Sequence, residues 1–552
     1  MKNLKIILFL LLLVLSCTAN AQHPATPKYE YRAVWLTAIE NLDWPSTQGL
    51  SLSAAERQKS ELVNILDSLQ AMNVNVVMLQ TRVRGDLIYP SAIEPFSHLF
   101  TGTEGVKPCY DPLAFAIEEC HRRGMQLHAW VVAMPLGKTD HVALLGRTSL
   151  PRRNPSLCTR YGDSWYMEPG NPATSEYLVS IVKEIVTKYD VDGIHLDYIR
   201  YPDRNDGYPD TALYRKYGKG LTLASWRRAN ITRIVKDVYT CVKSLKPWVR
   251  VSCATLGKYG NLSRYSSLGW DALNTGFQDA QQWMRDGIVD AVFPMLYFKG
   301  NNFYPFVRDW QENSYGRHVV PGIGIYRLLP EYGGWSPIEI MRQLQTSRAA
   351  GTSGNAMFRV RHLLCDSIGA SEAYMPVCRT KALVPPMSWH GTKPSSPLSL
   401  TVERADGGYK LCWEGDSAAR YNIYGAVGDS VNVDNPENLL ACMLAGTSYT
   451  WYRTMADTIT VAVTAVDAYG VESEPVKATF VVGELFEKEM LLPLPESCDM
   501  RMEVLDLYGR RLYYGRYARR VGVRGLKGGY YILKAYDRHG ALLWSRRFAT
   551  GR

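Results

Sequence analysis

Val191-Asp-Gly-Ile-His-Leu-Asp-Tyr-Ile-Arg-Tyr-Pro202 alternates apolar and ionisable residues over the length of one strand. Successive side chains of an extended chain face opposite ways, so Ile194 and Leu196 share one face and His195 and Asp197 the other. If helices pack on the apolar face, the polar face turns inward and Asp197 stands at the strand's end. Four ionisable side chains within nine residues (Asp192, His195, Asp197, Arg200) are costly in apolar surroundings unless paired or used. They serve either chemistry at the strand end or an Asp–Arg pair that closes it.

Outward from this stretch the pattern repeats. Strand-like runs at Arg32–Ala38, Val74–Gln80, Gln126–Val132, Gly193–Asp197, Arg250–Ala254, Ala291–Tyr297, Val319–Ile325 and Ala356–Val360 alternate with amphipathic helical stretches. Leu62, Ile65, Leu66 and Leu69 show the three- and four-residue spacing. Eight such units over residues 29–380 predict an α/β fold, a (β/α)8 TIM barrel. No Gly-x-Gly-x-x-Gly follows the first strand and no Walker loop is present, which argues against nucleotide binding.

Pro385-Pro386 and Gly391-Thr-Lys-Pro-Ser-Ser-Pro397 mark a linker over 381–397. Short alternating runs from 398 to 483 predict a small β-sandwich, and residues 484–552 a second small all-β domain. The chain has 552 residues, 46% hydrophobic and 21% charged, enough to bury a large core. Its net charge of +10 is concentrated at the end: Glu484–Arg552 holds 14 Lys/Arg against 8 Asp/Glu. That distribution is a basic surface patch and not a nucleic-acid footprint.

Lys2 and Lys5 precede the apolar run Ile6–Leu15, which suits the core of a secretory signal and is too short to span a bilayer. Ala19-Asn20-Ala21 offers a cleavage site that makes 1–21 a signal peptide. Val14-Leu15-Ser16-Cys17 offers a lipobox that would leave a lipid anchor at Cys17. Both predict an exported protein of the periplasm, cell surface or exterior, with no transmembrane helix. The remaining ten cysteines are scattered without Cys-x-x-Cys or Cys/His spacing, so no zinc site, metal or cofactor is expected, and most are read as small buried side chains.

Six motifs in order carry a resemblance: Tyr31-Arg-Ala-Val-Trp-Leu-Thr37 with Asn41-Leu-Asp-Trp-Pro45, Arg84-Gly-Asp-Leu-Ile-Tyr-Pro-Ser91, Glu94-Pro-Phe-Ser97, Tyr110-Asp-Pro-Leu113, His128-Ala-Trp130 and Asp192-Gly-Ile-His-Leu-Asp197. Over residues 29–370 the chain resembles the glycosyl-hydrolase-like family 10. The resemblance implies an exported TIM-barrel glycoside hydrolase, with peptidoglycan glycan strands among the substrates proposed for members. Two departures touch the presumed cleft. Val131-Val-Ala-Met-Pro135 replaces an Asn-Pro-Tyr-Arg-like run, and Tyr198 follows Asp197 where relatives often carry a second acid. Tyr421-Asn-Ile-Tyr424 and Val463–Gly470 resemble a fibronectin type III module. Val504–Arg511 and Val523–Ile532 resemble the sorting domain of the type IX secretion machinery, with plain structural packing as the alternative.

Glycoside hydrolysis needs two carboxyl groups, and active groups of a barrel gather where its strands end. Asp197 is the first candidate. Asp86, just past the second strand, is the second, although an Asp there also fixes a turn by bonding its own backbone. Glu40 and Asp43 follow the first strand. Trp35, Trp44, Trp130 and Tyr297 offer flat faces for sugar rings, and Arg84, His128, His195 and Arg200 offer hydrogen bonds to hydroxyls. For each single aromatic or histidine, core packing is the competing role. The leading function is cleavage of a polysaccharide or glycan strand; the alternative is a non-catalytic carbohydrate-binding barrel of the cell envelope. A metal-dependent deacetylase with Asp43, His128 and His195 as ligands lacks a supporting spacing.

Overall fold

The computed structural model describes residues 26–550 apart from 267–268, 406–407, 416–418, 452–457, 482–488, 492–499, 508, 517–519 and 523–528. The leader 1–21, Cys17 within it, and Val523–Gly528 of the terminal motif lie outside the described residues. Eight parallel strands form the barrel: β1 (Tyr31–Leu36), β2 (Val76–Arg82), β3 (Gln126–Val132), β4 (Gly193–Asp197), β5 (Arg250–Leu256), β6 (Ala291–Met295), β7 (His318–Val319, resuming at Gly322–Ile323) and β8 (Gly354–Met357). Each pairs with the next, and β8 pairs with β1 to close the ring. Pro321 sits in the break of β7, where it has no N–H to give the ladder.

The two-residue period divides the strands as the sequence predicts. Ile194 and Leu196 join Val34, Val77, Leu127 and Val131 in the layer beneath the helices. Tyr31, Trp35, Met78, Trp130 and Phe293 fill the interior. Ser51, Asp111, Asn171, Thr222 and Ser336 accept backbone hydrogen bonds at the starts of α1 (Leu52–Ala71), α2 (Pro112–Arg122), α3 (Pro172–Lys188), α4 (Leu223–Leu245) and α7 (Pro337–Ala349). In α2, α3 and α7 a proline occupies the first turn, where its missing N–H costs nothing. Between them, α5 (Ala280–Arg285) is shorter than the Ala272–Arg285 helix the periodicity suggests, because Phe277 takes a positive φ of 56°. Two further barrel helices are α6 (Tyr304–Glu312) and α8 (Ala370–Tyr374).

Close approach fixes one glycine on β4. A Cβ on Gly193 would lie 2.7 Å from Cγ of the buried His128 ring. Gly193→Ala is therefore expected to lower barrel stability by about 1–3 kcal/mol in denaturant titration, through overpacking.

After β3 the chain inserts a three-stranded antiparallel sheet (Pro135–Lys138, Ser164–Met167, Cys158–Tyr161) that the strand–helix alternation does not announce. It lies at the carboxyl ends of the strands. Beyond the barrel, strands Ser399–Ala405, Gly408–Glu414 and Ser448–Trp451 face Leu439–Leu444, Arg420–Val427, Thr458–Val466 and Val476–Val481 across one apolar core. A second small all-β domain is built on a four-stranded sheet of Arg511–Arg516, Arg501–Asp506, Gly529–Tyr536 and Leu542–Thr550.

The sandwich is docked on the barrel. Glu472 accepts from the hydroxyls of Tyr29, Tyr424 and Thr464 and from Asn422, and lies 2.6 Å from Lys28 Nζ. The stretch 381–397 is held in between: Arg250 donates to the Pro385 carbonyl at 2.8 Å, and Met387 is fully buried. Of the nine described cysteines only Cys120, Cys253 and Cys378 are buried, and Cys109 is exposed. Burial of most cysteines is thus not what the fold does with them. Among the described residues no helix is long and apolar enough to cross a membrane.

Candidate active site

Asp197 closes β4 and is 5% exposed. Tyr198 takes a left-handed φ of 48°, and its backbone N–H donates to Asp197 Oδ1 at 2.6 Å. Trp130 Nε1 donates to Oδ2 at 3.1 Å from the neighbouring strand. Arg200 Nη1 stands 3.8 Å from Oδ1, an ion-pair distance too long for a hydrogen bond, and this buried nitrogen has no other partner. Burial raises the Asp197 carboxyl above its ordinary range, against the lowering pull of Arg200, the Tyr198 N–H and Trp130.

Tyr297, just past β6, brings a second buried polar atom without a partner, its hydroxyl. Burial first, then the Asp197 charge, push that phenol far up. Buried polar groups without hydrogen bonds cost about 1–3 kcal/mol each, so two of them within electrostatic reach of one carboxyl mark a place where the fold is not optimised for stability alone.

Of these groups Arg200 lines a cavity of about 230 Å3 between the ends of β1–β4 and the inserted sheet. Tyr198, Arg200 and Asp203 form one wall, Trp165 and Tyr166 of the inserted sheet another, and Gln80, Arg84 and Val132 the floor and rim. Arg200 stacks its guanidinium 4.2 Å over the Tyr198 ring and donates through Nε to Asp203 Oδ1 at 2.9 Å. One arginine thus links the buried Asp197 with Asp203 in the cavity lining. Arg84 Nη2 meets the exposed Glu40 at 3.4 Å on the rim.

The family described as Glycosyl hydrolase-like 10 matches residues 30–327, more than half of the chain. The chain belongs to that family. It is 32% identical over 412 residues to Glycosyl hydrolase YngK of Bacillus subtilis (strain 168), covering 70% of this chain and 79% of that protein. It is also 32% identical over 304 residues to Glycosyl hydrolase DigH of Escherichia coli (strain K12), covering 51% and 69%. Among solved structures, the glycoside hydrolase domain of PgaB (BpsB) from Bordetella bronchiseptica matches with a TM-score of 0.44 and 12% identity, over 64% of this chain and 99% of that domain.

In this glycosyl hydrolase-like 10 barrel the other residues singled out from the sequence are dispersed. Trp35 and His195 lie below the strand ends inside the barrel. Trp35 Nε1 donates to His195 Nε2 at 3.1 Å, which leaves His195 Nδ1 to donate to Ser252 Oγ at 2.9 Å. Burial pushes His195 down to about 3, so it is neutral at physiological pH. His128 lies deeper, held well below its ordinary range by burial and then by Arg250.

Asp43 accepts from Thr37 N–H and Oγ1 and from Arg359, tying the β1 loop to the end of β8. Trp44 is buried outside the barrel mouth, against Phe100, with its Nε1 on the Gln58 carbonyl. Trp35, Trp44 and Trp130, expected as stacking faces, have no open ring surface. Asp86 is 1% exposed, accepts the Arg84 N–H at 2.8 Å, and sits with His98 and Glu104 instead of lining the cavity. Asp43, His128 and His195 each have separate partners and do not converge as a ligand set.

Tyr198 as a wall, Asp203, and the pair Trp165 and Tyr166 are cavity residues that the strand-end rule does not select. A signal for that pair was present: Ser164-Trp-Tyr-Met167 is a short aromatic run with strand propensity, preceded by the turn residues Gly162 and Asp163.

Proposed function

We propose that the protein is an exported glycoside hydrolase that cleaves O-glycosidic bonds of a polysaccharide or peptidoglycan glycan strand held in the cavity beside β4. One observation carries this reading: the Asp197 carboxyl, raised in pKa by burial, lies within electrostatic reach of two buried polar atoms, Arg200 Nη1 and Tyr297 Oη, that have no hydrogen-bond partner. A carboxyl that holds its proton above the ordinary range suits protonation of a leaving oxygen. The unpaired donors suit charge that develops on the reacting sugar's oxygens.

Asp203 is the second carboxyl we assign, because it lines the cavity and shares Arg200 with Asp197. Trp165 and Tyr198 supply ring faces for the flanking sugars. The leader and the basic terminal domain fit export, and the docked sandwich resembles a fibronectin type III module that supports the barrel.

A second reading, a carbohydrate-binding barrel without turnover, is favoured by one fact: Asp197 itself is not in the cavity lining. Incubation with peptide-free glycan strands and a panel of polysaccharides separates the two. New reducing ends that accumulate in proportion to enzyme support hydrolysis; retention of glycan without new ends supports binding. Trp165→Ala is expected to raise KM about tenfold with kcat little changed, the loss of about 1–1.5 kcal/mol of stacking. An unchanged KM would remove Trp165 from the binding surface.

A further inference from the structure

We propose that Asp86, His98 and Glu104 form a site for one first-row divalent metal ion of the Zn2+ or Mn2+ kind, which fastens the loop after β2. Backbone bonds independent of these side chains bring the three together. Leu87 bridges back to Arg82 and sideways to Phe96. Its N–H donates to the Pro95 carbonyl at 3.0 Å, and its carbonyl accepts from Ser97 at 2.8 Å. Gly105, at a positive φ of 73°, returns the chain so that its N–H reaches the Phe96 carbonyl at 2.8 Å. Asp86 is thereby set beside His98, and Glu104 folds over both.

Each residue offers one ligand atom, and the three atoms lie within 4.8 Å of one another. Ligands about 2.0–2.2 Å from a common ion stand roughly 3–4 Å apart, so the donors need only a small contraction to meet around one. The present bonding leaves the cluster incomplete. His98 Nδ1 lies 2.6 Å from Glu104 Oε1, and Asp86 Oδ1 takes the Arg84 N–H. Glu104 Oε2 is buried with no hydrogen-bond partner.

No Lys or Arg among the described residues is ion-paired with Asp86 or Glu104. The Arg82 guanidinium, which senses Asp86, is committed to Glu94. Two carboxyl groups and an imidazole therefore face each other with one buried Glu104 oxygen left without a hydrogen bond. An imidazole with carboxylates is the donor set of zinc and manganese; calcium prefers oxygen alone. The loop also carries Arg84 to the cavity rim, so the ion would steady that side chain without entering the reaction.

The competing occupant is a proton, since burial and then Asp86 raise the Glu104 carboxyl. The test uses the full chain freed of metal by chelator and titrated with Mn2+ and with Zn2+ alone, with Ca2+ as the comparison. We expect one Mn2+ or Zn2+ per chain, a rise in melting temperature with added metal, and nitrogen coupling from His98 in the electron spin-echo spectrum of bound Mn2+. Binding is expected to weaken about tenfold or more in Glu104→Gln and in His98→Ala. Absence of saturable binding, or bound Mn2+ without nitrogen coupling, overturns the proposal even if the variants fail to fold. Equal binding by folded variants and wild type also overturns it, as it would place the ion elsewhere.

Discussion

Asp197→Asn is expected to lower release of reducing ends by about three orders of magnitude while the protein stays folded, the scale of a lost general acid or base. The substitution keeps the side chain's shape and removes its proton chemistry. Its effect on stability has a definite sign. Burial raises the folded carboxyl above the ordinary value of 3.8, so the native state binds that proton more tightly than the unfolded chain does. Stability from this group is therefore fullest below the unfolded value and is lost as pH rises through the folded one. Asparagine does not titrate there. The variant's melting temperature should thus match or exceed the wild type's near neutrality, with the difference shrinking in acid. Thermal melts at several pH values, run beside reducing-end assays, check both parts; full turnover in the variant would remove Asp197 from the chemistry.

The second large effect is structural. Arg82 and Glu94 have fully buried side chains, joined through two parallel bonds of 2.8 and 2.7 Å. Arg82 also donates to the carbonyls of Val132 and Ala133 where β3 ends. Arg82→Met is expected to destabilise the barrel by about 3–5 kcal/mol, because it leaves Glu94 buried and uncompensated. Adding Glu94→Leu should recover much of that loss, since an apolar pair of similar volume often matches a buried ion pair. The Ala133 N–H holds the Asp197 carbonyl at 2.8 Å, so loosening the end of β3 should also depress activity in the single variant. Urea titration of the two variants and the wild type measures the ordering. A single variant as stable as the wild type would show the pair to be dispensable.

The barrel was legible in the sequence because its rule is local. A parallel strand followed by an amphipathic helix is a local pattern that repeats eight times here, and Ile194/Leu196 against His195/Asp197 gave the facing of β4 correctly. Position at a strand end also singled out Asp197 and Tyr297, and the Asp197 charge reaches the Tyr297 hydroxyl. What could not be read is which aromatic rings remain open. Trp35, Trp44 and Trp130 sit in motifs as prominent as any, yet whether a ring is covered depends on residues far away, such as Phe100 against Trp44 and Ser252 through His195. The open rings belong to the inserted sheet and to Tyr198, whose left-handed backbone no residue type demanded. Asp86, His98 and Glu104 are likewise separated by ordinary loop sequence. The bridge from Leu87 to Phe96 unites them, and backbone bridges of that kind leave no side-chain signature.

Crystals of the folded Asp197→Asn protein with a bound oligosaccharide would show directly whether Asp197 meets the scissile bond. A glycosidic oxygen is expected within about 3 Å of the residue 197 side chain, the reach of proton transfer. The flanking rings should lie against Trp165 and Tyr198, and Tyr297 Oη and Arg200 Nη1 should be bonded to sugar hydroxyls. An oligosaccharide seated elsewhere on the barrel, with residue 197 still enclosed beneath Tyr198 and Arg200, would contradict it.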